Sequence, residues 1–301
     1  MNRYIHKILV VLSLLAALPA HAGVRAFACE PEWGALLQTL GGNEVSVFTA
    51  TTALQDPHHI QARPSLIAHM RRADLLVCTG AELEIGWLPV LLRKSGNRAL
   101  QPGRPGYFMA ADQVRRLEVP KRLSRAEGDI HPGGNPHVQT DPRRILRVAE
   151  ALTRRLQVID PDHAADYARR GQAFAGRWRA AIERWEAAAA DLRGMPVVVH
   201  HDQWVYLEEW LGLQEVGELE PKPGIPPTPG HLAELKQQLH DRPARLILRA
   251  AYIDARPADW LSQQTGIPVA VLPFTVGGAT GADDLFGLFD TTLARLHGAL
   301  R

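Results

Sequence analysis

Short apolar runs alternate with amphipathic stretches along most of this chain. Residues 24–29, 44–48 and 75–78 have the length and aliphatic content of buried strands, and residues 32–40 and 65–72 between them carry apolar side chains at helical spacing. Pro64 and Ser65 supply a start signal for the second helix. Strand, helix, strand, helix, strand is the rhythm of a parallel sheet with helices on its faces. A further helix is expected from Trp87 to Leu92, after a turn containing Glu82 and Glu84. Residues 95–137 have little periodicity and much Gly, Pro and charge, so they are expected to form a long surface connection.

Asp141-Pro142 then opens a strongly helical region, Asp141 as cap and Pro142 in the first turn. The pattern pauses at Asp160-Pro161-Asp162 and resumes to about Leu192. A helix of some thirty residues would be about 45 Å long, the scale of a domain, so it is expected to act as a rigid spine between two lobes. Past Gly194 the first rhythm returns. Strands are expected at 196–200, 215–219, 245–249 and 269–272, and helices at 202–210, 228–238, 257–264 and 284–300. The expected fold is therefore α/β, two αβ lobes with parallel sheets joined by one long helix. Its expected divisions are 23–140, 141–193 and 194–301.

The first residues change the picture of where this fold works. Arg3 and Lys7 precede an apolar run from Ile8 to Leu18, and Ala20-His21-Ala22 has the small-x-small form of a cleavage site. Residues 1–22 thus read as a signal peptide cleaved near Ala22, leaving a soluble periplasmic protein. The full chain carries a formal charge of +2, and loss of Arg3 and Lys7 leaves 32 basic against 32 acidic residues. That balance argues against nucleic acid as partner, and a monomer is expected. In an oxidising compartment the two cysteines, Cys29 and Cys78, are expected to form an intramolecular disulfide between neighbouring strand ends; two small buried thiols are the alternative.

Histidines then suggest chemistry. Asp56-Pro57-His58-His59, Asn135-Pro136-His137 and His200-His201-Asp202 each fall in a loop near a strand or helix end, where open αβ sheets bind ligands. One imidazole from each loop could hold a metal ion. Three neutral imidazoles suit Zn²⁺, whereas Mn²⁺ favours more oxygen ligands. Three histidines and a water would also suit a zinc hydrolase, with Glu82 or Glu209 as a base. No His-Glu-x-x-His segment or Gly-x-Ser-x-Gly elbow accompanies them.

Together with Arg63-Pro64-Ser65, Asp141-Pro142 and Trp204-Val205-Tyr206-Leu207, these three loops resemble the histidine motifs of the zinc and manganese substrate-binding proteins of bacterial ABC importers. The resemblance covers nearly all of the chain beyond residue 22. It implies a metal in the cleft between the lobes, held by His58, His137 and His201, and delivery to an inner-membrane ABC permease. A manganese receptor or a periplasmic zinc metallochaperone is the alternative. His59, His131, His200 and Glu82 are possible additional ligands. The family's acidic fourth ligand has no counterpart in Val271-Leu272-Pro273-Phe274-Thr275, so Glu30, Glu82, Asp283 and Asp284 are candidates for that role.

Overall fold

The computed structural model describes residues 23–120 and 131–301. The expected leader and Gly128, Asp129 and Ile130 of the glycine-rich connection lie outside the described residues. The first lobe holds strands β1 (Val24–Ala28), β2 (Val45–Thr49), β3 (Leu75–Cys78) and β4 (Tyr107–Met109) in one sheet. All pair in parallel, in the order β2-β1-β3-β4. Helices α1 (Pro31–Gly41), α2 (Pro64–Arg72) and α3 (Leu88–Ser95) cover its faces. Every residue of β3 is buried, as a parallel strand covered on both sides requires. A disulfide joins Cys29, just past β1, to Cys78 at the end of β3, with Cα atoms 4.8 Å apart.

Strand β4 corrects the reading of residues 95–137 as a plain connection. It is a three-residue edge strand, too short to show alternation, entered through Gly106. A Cβ at Gly106 would lie 2.6 Å from the Ala99 carbonyl oxygen and 2.7 Å from that of Asp74, so this approach to the sheet demands glycine.

The second lobe repeats the plan with β5 (Pro196–Val199), β6 (Gln214–Glu218), β7 (Leu246–Ala250) and β8 (Val269–Leu272), and helices α6 (Val205–Leu211), α7 (Pro229–Asp241), α8 (Arg256–Thr265) and α9 (Leu285–Ala299). Its order is β6-β5-β7-β8, again parallel. Two helices lie between the lobes, α4 (Pro142–Ile159) and α5 (Ala164–Ala188). The spine is therefore α5, of 25 residues rather than thirty, or about 37 Å long. Near its start Arg170 holds the Leu40 carbonyl and Glu44 of the first lobe. Near its end Trp185 donates to Asp290 of the second. Trp178 and Trp185, both buried, pack on Phe286 and Phe289 of α9.

Polar clasps also hold the lobes together beside the cleft. Asn135 Nδ2 donates to the Asp202 carbonyl at 2.9 Å, and Tyr206 Oη donates to the Asn135 carbonyl while accepting from the Leu117 N–H. Thr275, past β8, donates its hydroxyl to Glu32 and accepts the Glu32 backbone N–H. Buried Arg144 pairs with Asp141 on its own helix and, at 2.7 Å, with Glu209 on α6, and its guanidinium stacks on Tyr206.

Asp141 caps α4 through the Arg143 N–H and is wholly buried between two arginines. Asp141→Ala removes the cap and leaves Arg144 with half of its compensation, so urea unfolding is expected to show a loss of about 3 kcal/mol. A loss below about 1 kcal/mol would mean that Glu209 and Tyr206 compensate Arg144 alone.

Candidate metal centre

The carboxyl ends of both sheets face one cleft, and the three histidine loops meet there. His58 lies in the turn after β2, His137 just before α4, and His201 just after β5. One nitrogen from each of the three rings lies within 4.8 Å of the others. Ring centroids are 5.5 Å apart for His58 and His137, and 5.8 Å for each of the other two pairs. Zn–N bonds of about 2.0–2.1 Å in a tetrahedral shell place imidazole centroids about 5 Å apart. A contraction of less than 1 Å brings these rings to that geometry.

Hydrogen bonding selects which nitrogens face the common point. His58 Nδ1 donates to Asp56 at 2.8 Å, and its buried Nε2 has no partner. His201 Nδ1 donates to Glu220 at 2.8 Å, which frees Nε2. Carboxylates on the far nitrogens orient the rings and make them more basic donors toward a cation. Among the described residues, neither nitrogen of the fully buried His137 has a partner. Such orphaned lone pairs are costly in an interior unless a ligand uses them.

The local backbone explains how these rings are presented. Asp56 accepts the His58 backbone N–H as well as its ring, and Asn135 accepts the His137 N–H, so both histidines sit in turns made by the polar residue two positions earlier. Glu220 also accepts the Gly224 N–H at 2.7 Å, which fixes it under His201.

Burial, then repulsion from His58 and His201, pushes His131 down to about 4 and His137 well below the ordinary histidine value. Both are neutral and available as donors at pH 7. Burial also favours a neutral His201, but the hydrogen bond and charge of Glu220 outweigh it and raise that group. Burial raises Asp56 as well, yet its bonds to His58 leave it below the usual carboxylate range.

The remaining candidates fall in different places. The His131 ring lies 5.4 Å from His58 and 6.3 Å from His137, at a fourth corner of the cluster. His59 is largely exposed and 4.0 Å from Asp56. His200 is buried, with an unpartnered Nδ1, and lines a separate groove with Trp260 and Asp254. Glu82 is exposed. Glu30 is buried behind β1 and β3, bonded to Thr79. Asp284 caps α9 and Asp283 is exposed beside it. In the segment lacking an acid, Phe274 packs edge-on against His137 at 5.4 Å, and Thr275 is committed to Glu32. Sequence reasoning missed the roles of Asp56 and Glu220. An acid two residues before a loop histidine signals the first, and nothing local signals the second.

On either side of the histidines lie small cavities of about 200 and 230 Å³, room for an ion and a few waters rather than for an organic ligand. The first is edged by Glu118 and Asp202, the second by Asp56 and Glu220. Two parallel-sheet lobes on a helical spine, with imidazoles converging in the cleft, are an arrangement that can hold a metal ion between the lobes.

Comparison with known proteins gives the family. The family model of the periplasmic A component of zinc-uptake complexes, ZnuA, matches residues 27–299, and the chain belongs to that family. It is thus a zinc-binding receptor of an ABC importer. The high-affinity zinc uptake system protein ZnuA of Paracoccus denitrificans is 26% identical over 267 residues, covering 76% of this chain and 77% of that one. The metal ABC transporter substrate-binding lipoprotein SloC of Streptococcus mutans is 21% identical over 249 residues, 80% of this chain and 77% of its own. A crystal structure of ZnuA shares the fold with a TM-score of 0.77 at 20% identity, covering 93% of this chain and all of that one. The manganese-bound periplasmic metal-binding protein of Candidatus Liberibacter asiaticus does so with 0.75 at 19%, covering 92% of this chain and 100% of its own.

Carboxyl groups around the cleft make stability depend on pH. Burial raises Glu32 and Glu84 to about 7, Glu208 to about 8 and Asp202 to about 9. A raised carboxyl stabilises the fold fully below its unfolded value and loses that contribution as pH rises through the folded one. The depressed histidines act oppositely, but only below about 6.5. The melting temperature of the metal-free protein is therefore expected to fall between pH 7 and 9. A flat or rising profile by differential scanning fluorimetry would contradict these shifts.

Proposed function

We propose that this receptor captures Zn²⁺ with His58 Nε2, His137 and His201 Nε2, that His131 closes the fourth corner, and that it hands the ion to an inner-membrane ABC permease. The observation that carries the ligand set is the convergence of three imidazole nitrogens within 4.8 Å, with buried nitrogens of His58 and His137 that no protein group satisfies. An all-nitrogen shell favours zinc over manganese, which prefers oxygen donors. In this reading residues 1–22 are an export leader removed near Ala22, the mature protein is a periplasmic monomer, and its units are 23–140, 141–193 and 194–301. It performs no chemistry on the ion. Of the two candidate bases, Glu209 is engaged by Arg115 and Arg144, and Glu82 is exposed.

Tight capture follows from a site whose loops are ordered beforehand, since little entropy is lost on binding. Release then requires the permease to favour an arrangement of the lobes in which the shell is incomplete.

Competition titration of the mature protein is expected to find one submicromolar Zn²⁺ site that Mn²⁺ does not displace at equal concentration. His58→Ala, His137→Ala and His201→Ala should each weaken it by at least about tenfold, with smaller losses for His59→Ala and His200→Ala. Equal losses at all five positions would overturn the ligand assignment. Stimulation of the permease ATPase by the zinc-loaded receptor, set against transfer to a soluble apoprotein, separates importer delivery from a metallochaperone.

A further inference from the structure

The loop after β3 reaches two of the four imidazoles, and a buried carboxylate that touches neither of them holds that loop in place. Gly80, Ala81 and Glu82 all have positive φ, at 78°, 50° and 70°. Two of the three are not glycine, so the segment occupies a conformation that L-residues avoid and that the surroundings must enforce. Glu84 holds the entry to this segment: its carboxylate accepts the Thr79 N–H at 2.8 Å and the Gly80 N–H, the first of the left-handed residues, at 3.0 Å. Glu30 adds a second acceptor to Thr79, and both carboxyl groups are buried.

The far side of the same loop meets the cleft. The Ala81 backbone is hydrogen-bonded to the His131 ring, and a Cβ on Gly133 would stand 3.5 Å from the Ala81 Cα. Trp87 Nε1 donates to the Pro57 carbonyl at 2.9 Å, and a Cβ on Gly86 would stand 3.2 Å from the His58 carbonyl oxygen. One strained turn thus backs both the His131 ring and the His58 turn, while His137 and His201 rest on other supports.

We infer that Glu84 is a positioning residue for the zinc centre, setting His58 and His131 through the loop from Thr79 to Trp87. For His131 this rests on its assignment to the fourth corner; for His58 it stands apart from it. Loss of the Glu84 carboxylate removes the acceptor that anchors Thr79 and Gly80, where the left-handed segment begins. The turn then relaxes and both rings lose their backing.

The test uses the mature full chain, Zn²⁺ competition titration, and the visible spectrum of the Co²⁺-loaded protein, whose band intensity reports coordination geometry. Glu84→Ala is expected to weaken zinc by about tenfold and to shift the Co²⁺ bands, changes that loss of global stability alone would not produce. Glu84→Gln keeps an acceptor for the two N–H groups and is expected to restore affinity to within about threefold. Trp87→Phe deletes the indole N–H to Pro57 without removing the ring; it should perturb the Co²⁺ bands in a normally folded protein. A folded Glu84→Ala variant with wild-type affinity and spectrum would overturn the inference. Should that variant fail to fold, an unchanged spectrum in Trp87→Phe overturns it instead. His131→Ala separates the two readings: if it leaves affinity and spectrum unchanged, the fourth-corner assignment fails while the effect of Trp87→Phe still decides the support of His58.

Discussion

Buried imidazole nitrogens that converge on one point, with no hydrogen-bond partner among the described residues, call for a ligand. His58 and His137 are in this position, and a cation is the partner that satisfies both at once. Everything else in the molecule serves that convergence. The carboxylates of Asp56 and Glu220 hold the far nitrogens and thereby choose the near ones. The price is paid in burial of polar groups around the cleft, several of which are pushed toward their neutral forms.

Because the rings come from both lobes, their spacing is only as good as the spacing of the lobes. A hinge between two sheets would blur it. Here α5 is anchored to the first lobe through Arg170 and to the second through Trp185, with an aromatic cluster along its side. The clasps of Asn135 on Asp202 and Thr275 on Glu32 fix the edges nearest the cleft. Such a frame favours capture over opening, and leaves the permease to supply the free energy of release.

Much of the architecture was legible because parallel strands buried on both faces are continuous apolar runs, and helices between them begin with Pro or a capping residue. Leu75–Cys78 and Pro196–Val199 stood out for that reason. β4 did not, since three residues at an edge carry no periodicity. The spine came out shorter than its helical pattern suggested, because α5 ends at Ala188 and the residues Ala190–Leu192 tighten into a separate 3-10 turn. At the centre, the histidine loops could be read from their strand-end positions. The direction of the His201 ring could not, because it depends on Glu220, nineteen positions away. Phe274, where the resemblance implied an acid, packs against His137 instead, and the neighbouring corner is taken by a histidine.

The two cysteines of the chain are joined to each other in a buried disulfide and do not enter the histidine cluster. The histidine centre therefore contains no sulfur. Oxidants that convert thiolates to sulfenic or sulfinic acids find no target among its donors, and neither does thiol exchange with other proteins. An ion in the proposed site would be held by groups that answer to protons and to geometry, and its retention there would be insulated from the redox state of the surroundings.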